Sequence, residues 1–112
     1  MKIYKIFTAS QWADLQANGQ TGGAPIDLTD GYIHFSTASQ VAETAAKHFA
    51  GASDLVLTAV DTTPIGDDIR WEVSRGGDKF PHLYRALHMQ DVLWTRAYPL
   101  VDGVHVLPEG VA

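Results

Sequence analysis

The 112-residue chain predicts a single mixed α+β domain with its helices early and most of its strands late. Three observations lead there. Two Thr-x-x-Gln boxes, at Thr8 and Thr37, each precede a helical pattern in the first half of the chain. Asp54-Leu-Val-Leu-Thr-Ala-Val60 is apolar on both faces, as a covered central strand must be. Several other segments alternate polar and apolar residues with the period of a half-exposed strand.

Taken in order, Ile3 to Phe7 alternates as a first strand, and Thr8 with Gln11 opens a short helix that runs to about Ala17 and closes at Asn18-Gly19. Gln20 to Gly31 carries Gly22, Gly23 and Pro25 and reads as an irregular loop, a candidate lid. A strand follows over Tyr32 to Ser36. Thr37 then serves as N-cap, with Gln40 at the third helical position, for a helix over Ala38 to Phe49 with Gly51 as its stop. After the central strand, Pro64 and Gly66 mark a loop, Ile69 to Ser74 alternates as a strand, and Gly76-Gly77 turns the chain. His82 to Leu87 and Leu93 to Val101 are further strands, which Pro81 and Pro99 assign to sheet edges or strand ends. The tail from about residue 102 carries no clear pattern.

The composition bounds the function. With 46% apolar residues and no low-complexity tract, residues 1–112 form one domain with an ordinary core. The absence of cysteine excludes a disulfide scaffold, thiolate metal sites and a cysteine nucleophile, and is compatible with a reducing cytoplasm. No run approaches the roughly 20 apolar residues of a membrane span, and the apolar start is too short for a signal peptide, so a cytoplasmic protein is expected. A net charge of -5 argues against general nucleic-acid binding. Arg70, Arg75, Lys79 and Arg85 nevertheless gather in one window, mixed with Glu72 and Asp78, a pattern that also suits a solvated, salt-bridged surface.

Alternation places Tyr32, His34 and Ser36 on one face of their strand, Arg70, Glu72 and Ser74 on one face of theirs, and His82 with Tyr84 on another. If these rows share a face, His34, Glu72, His82 and Tyr84 form a cluster. Its carboxylate is suited to act as a base or to steer a developing cation, while imidazole and phenol orient a ligand. The helix start after Thr37 adds backbone donors for an anion. The plainer alternatives are a solvent-facing Glu72 on an edge strand and a hydrogen-bonded core His34. Trp12, Trp71 and Trp94 are assigned to the core. His34, His82 and Glu72 are the ligand types of a two-histidine, one-carboxylate metal site, but no tight metal spacing exists and no metal is assigned. No nucleophile elbow or phosphate-binding lysine loop occurs.

The series Ile3-Tyr-Lys-Ile6, Trp12, Asp30-Gly-Tyr-Ile-His-Phe-Ser-Thr37, Gln40, Thr44-Ala45, His48-Phe49, Asp54-Leu55, Trp71-Glu72 and Phe80-Pro-His-Leu-Tyr84 resembles the family catalogued as domain of unknown function 952, over about residues 2–92. That family has been grouped with the ADP-ribosyltransferase superfamily, whose split β-sheet grips NAD. The resemblance implies such a split sheet, with Tyr4-Lys5 at the first-strand position usually held by Arg or His. Tyr32 to Ser36 is similar to the His-x-His-Leu-Ser stretch of the RNA 2'-phosphotransferases. Glu72 corresponds to the third-position glutamate that contacts the nicotinamide ribose. It implies Glu72 and His34 as catalytic candidates, and Lys5, Ser36, Thr37, Arg70, His82 and Tyr84 as ligand-binding candidates. The expected ligand is nucleotide-like, with NAD as a candidate substrate for ADP-ribosyl transfer or a related NAD-consuming step. A non-catalytic small-molecule or partner-binding module and a hydrolase of unknown class are the alternatives.

Overall fold

The computed structural model describes residues 1–74 and 77–111. Arg75 and Gly76 lie outside the described residues, and with them part of the expected Gly76-Gly77 turn. Gly77 has φ 83° and donates its N–H to the Ser74 carbonyl at 3.3 Å. Among the described residues there are three α-helices, all in the first half of the chain, and ten strands, several of only two residues.

β1 (Lys2–Phe7) leads into α1 (Ala9–Asn18). The box at Thr8 forms as expected: Gln11 N–H donates to the Thr8 hydroxyl at 3.2 Å, and Thr8 N–H donates to Gln11 Oε1 at 3.0 Å. Gly19, at φ 75°, ends the helix by returning its N–H to the Leu15 carbonyl. The expected loop over 20–31 is instead β2 (Gln20–Thr21) followed by α2 (Pro25–Asp30). The breakers there are helix-start signals in disguise. Pro25 stands where a missing N–H costs nothing, Asp27 accepts the Ala24 N–H at 2.7 Å, and Gly31 at φ 84° ends the helix.

β3 (Ile33–His34) is shorter than expected and is extended by an isolated bridge between Tyr4 and Ser36. α3 (Val41–His48) begins three residues later than expected. Thr37 N–H donates to Gln40 Oε1 at 3.0 Å, but the Gln40 N–H donates to the Thr37 carbonyl at 3.0 Å and not to its hydroxyl. Only half the box forms. The segment before Val41 is therefore a turn.

β4 (Leu55–Asp61) is the central strand of an antiparallel sheet, between β1 and β8 (Val92–Tyr98). Leu55 and Leu57 are buried as expected, whereas Val56 is only half-buried. Its two faces feed two apolar clusters. Ile3, Phe7 and Val60 meet Leu15 of α1 and Ile33, Phe35 and Leu83 on one side, while Tyr4, Ile6 and Leu57 meet Val41 and Ala45 of α3 on the other.

A second antiparallel sheet has the order β3, β6 (Lys79–Leu83), β5 (Ile69–Val73). Pro81 thus lies in the middle of a central strand, against the expectation of a sheet edge or a strand end. Phe35 N–H donates to the Pro81 carbonyl at 3.0 Å, and the donor that proline lacks falls where the β3 ladder has ended. β7 (Leu87–His88) pairs with β2. The expected strand from Leu93 to Val101 is divided into β8 and β9 (Leu100–Val101), and β9 forms a hairpin with β10 (Val104–His105) of the tail, turning at Asp102 and Gly103, both at positive φ. Trp71 is exposed rather than in the core, while Trp12 and Trp94 pack partly buried against the two clusters. Among the described residues no helix is long and apolar enough to cross a membrane.

Candidate functional site

The register of the second sheet brings the polar rows together. His82 lies opposite His34 on one side and Arg70 on the other, and Phe80 lies opposite Glu72. Directly paired residues share a face, so His34, Phe80, His82, Tyr84, Arg70 and Glu72 stand on one face, while Ile33, Leu83 and Ile69 turn to the apolar cluster. Tyr32 joins them. Its ring lies 4.3 Å from that of His82, 4.8 Å from His34 and 5.0 Å from Tyr84, and the Arg70 guanidinium covers Tyr84 at 5.0 Å.

A cleft of about 550 Å³ opens against this face. Lys5, Ser36, His34 and His82 line it, with Asp30, Thr44 and His48 as further polar groups and Pro25, Ile26, Phe49 and Phe80 as apolar wall. Thr37, Arg70, Glu72 and Tyr84 lie outside its lining, and α3 contributes its middle and C-terminal residues, not its N-terminus.

His34 is held by a residue the sequence reading passed over. Asp27, 1% exposed, receives the Lys5 ammonium on Oδ2 at 2.8 Å and the His34 N–H on Oδ1 at 3.0 Å. His34 Nδ1 lies 2.5 Å from the same Oδ1, and Nε2 lies 3.0 Å from Asp30 Oδ2. The result is a row of alternating groups, Lys5, Asp27, His34 and Asp30, in which Asp27 is buried behind the three that line the cleft. Burial pushes the Asp27 carboxyl up, but the Lys5 charge and the bonds from Lys5 and His34 outweigh it and leave the pKa lowered. Burial likewise holds the Lys5 ammonium below its ordinary value despite Asp27. The signal that could have found Asp27 is the Ala24-Pro25-x-Asp27 helix start, an acid at the third helical position, two residues after a proline.

Glu72 belongs to a neighbouring group. Its Oε1 accepts the Tyr84 hydroxyl at 2.6 Å and lies 2.9 Å from His82 Nδ1. These two bonds, Tyr84 first, hold its carboxyl below the usual range, and the same bond pushes the Tyr84 phenol up to about 12. His82 is 3% exposed, and its Nε2 is buried with no hydrogen-bond partner. Among the described residues no three histidine or acidic side chains are grouped to hold a metal ion.

The fold and this face together define a small α+β protein with a ligand-sized cleft beside a cluster of imidazoles, phenols and carboxylates. The chain belongs to the family described as protein of unknown function (DUF952), whose pattern matches residues 6–95. It is similar to protein CC0527 from Caulobacter crescentus. The X-ray structure of that protein is 46% identical, with 95% of this chain and 94% of that chain covered and a TM-score of 0.90. Its solution NMR structure is 47% identical, covering 92% and 90%, with a TM-score of 0.83. A comparison with curated proteins finds no match.

Proposed function

We propose that this domain binds a nucleotide-like small molecule, with NAD as the first candidate, in the cleft lined by Lys5, His34, Ser36 and His82. The observation that carries the reading is the placement of His34. A buried carboxylate holds its imidazole on the wall of a cleft of about 550 Å³, a size that suits small ligands. The Ser36 and Thr44 hydroxyls beside it, 3.0 Å apart, suit sugar hydroxyls, and the wall of Ile26, Phe49 and Phe80 suits a base. Two further features favour NAD. The Asp30 carboxylate in the cleft lining, beside the His34 and His82 rings, suits a flat cationic ring such as nicotinamide. The division of the main strands into two three-stranded sheets is what the ADP-ribosyltransferase-like reading calls for.

Binding without turnover is favoured by a specific observation. Glu72, the carboxylate that would stabilise an oxocarbenium-like transition state, lies outside the cleft lining with Oε1 engaged by Tyr84 and His82. Transfer chemistry requires that carboxylate to turn toward the ligand.

Calorimetry with NAD, ADP-ribose and adenosine monophosphate, together with nicotinamide release, tests both readings. Binding with release supports the transferase reading, and binding without release supports a non-catalytic module. No heat at millimolar ligand overturns the nucleotide assignment.

A further inference from the structure

Asp27 meets four donors. Oδ1 faces both the backbone N–H and Nδ1 of His34, and Oδ2 accepts from Lys5 Nζ and from the Ala24 N–H. A carboxylate is acceptor-only, so His34 Nδ1 must carry its hydrogen toward Oδ1. Nε2 is left as the nitrogen whose partner can change.

We infer that Asp27 is the positioning residue of the cleft: it holds the His34 ring in the Nδ1–H tautomer, so that Nε2 takes a hydrogen bond from a hydroxyl of the bound ligand. This rests on the reading of the cleft as a site for a nucleotide-like molecule, and adds that a sugar hydroxyl, not a phosphate, is what meets His34. Three features make Asp27 suited to the task. It is almost fully buried, it joins β1, α2 and β3, and the Lys5 ammonium favours its ionised form where burial alone would favour the neutral acid. Asp30 occupies the place where the ligand hydroxyl binds. Its Oδ2 lies 3.0 Å from Nε2, and its side chain, 35% exposed at the end of α2, is a partner that can be displaced into water. In the protonated ring Nε2 donates to Asp30. In the neutral Nδ1–H ring Nε2 has no hydrogen to give Asp30, so that carboxylate turns out into water and leaves the lone pair to a hydroxyl.

The test begins with the ligand-free protein at a pH where the imidazole is neutral. Proton–nitrogen correlation spectra, with His34 assigned by its loss in His34→Ala, are expected to show a single Nδ1–H tautomer with an exchange-protected proton. An Nε2–H tautomer, or an average of the two, overturns the proposal without any variant having to fold. In a Lys5→Met, Asp27→Leu double variant, which removes the acceptor and leaves no buried charge unpaired at this pair, the single tautomer should be lost, and its retention also overturns the role of Asp27. Wild type should bind adenosine monophosphate about tenfold more tightly than its 2',3'-dideoxy counterpart, and the double variant should lose that preference. Equal affinity of wild type for both overturns the hydroxyl contact. If neither binds, the nucleotide reading and the hydroxyl contact fail together, while the tautomer decides the positioning role separately.

Discussion

The Glu72 carboxylate and the His82 imidazole are paired across β5 and β6, Oε1 to Nδ1 at 2.9 Å, and the Tyr84 hydroxyl donates to the same oxygen at 2.6 Å. One oxygen thereby joins an exposed phenol to a histidine buried against the cleft.

That oxygen gives an alkaline signature. Donation to Glu72 raises the Tyr84 pKa to about 12, so the phenol contribution to stability is present below the ordinary tyrosine value of about 10 and is lost as the pH rises through about 12. Absorbance titration should show Tyr84 ionising near pH 12, and Glu72→Gln should move it down toward the ordinary value.

The acid limb belongs in part to Asp27. Its folded pKa is lowered, so its contribution is present above the ordinary carboxylate range and disappears as the pH falls through the lowered value. Asp27→Asn should destabilise the domain by about 3–5 kcal/mol at neutral pH, because Lys5 is left as a buried, unpaired charge. Urea denaturation at neutral and acid pH should show the difference between wild type and variant shrinking as acid is added.

Gly23 tests the same contact sterically. It adopts φ 96°, and a side chain there would overlap the Asp27 carboxylate. Gly23→Ala should cost more than about 1 kcal/mol in thermal unfolding and should weaken protection of the His34 ring proton.

His34→Ala should leave the fold intact and weaken nucleotide binding by about 1–3 kcal/mol, the cost of losing one well-placed hydrogen bond. Calorimetry reads this directly. Affinity unchanged by the substitution would remove His34 from the site.

Leu57, fully buried in β4 beneath α3, provides the scaffold control. Leu57→Ala should cost about 2–5 kcal/mol by chemical denaturation, while ligand affinity at temperatures well below unfolding stays that of wild type.

What was legible along the chain is what local geometry controls. Period-two alternation separated Tyr32 and His34 from Ile33 and Phe35, and the burial of Ile33 and Phe35 follows it. The apolar run at Leu55 marked a strand covered on both sides, and Thr8 with Gln11 marked the start of α1. The same local rules misread three places. Gly22, Gly23 and Pro25 concealed α2, because a proline that breaks a helix inside also begins one. Thr37 lost its capping role because the Gln40 N–H closes a turn on the Thr37 carbonyl. Pro81 was assigned to an edge or a strand end because nothing near it in sequence reveals that β3 ends beside it.

The amino-acid order alone was enough to divide each strand into a polar and an apolar face and to nominate His34, Glu72, His82 and Tyr84, since alternation and capping act over a few residues. Which faces meet was decided by the tertiary fold. Lys5 and Asp27 are 22 residues apart, and Glu72 and His82 ten. Each pair exists only because sheet register and burial bring the groups together. A carboxylate can be identified from one position, but its partner, its ionisation and its exposure are set by the chain that packs around it.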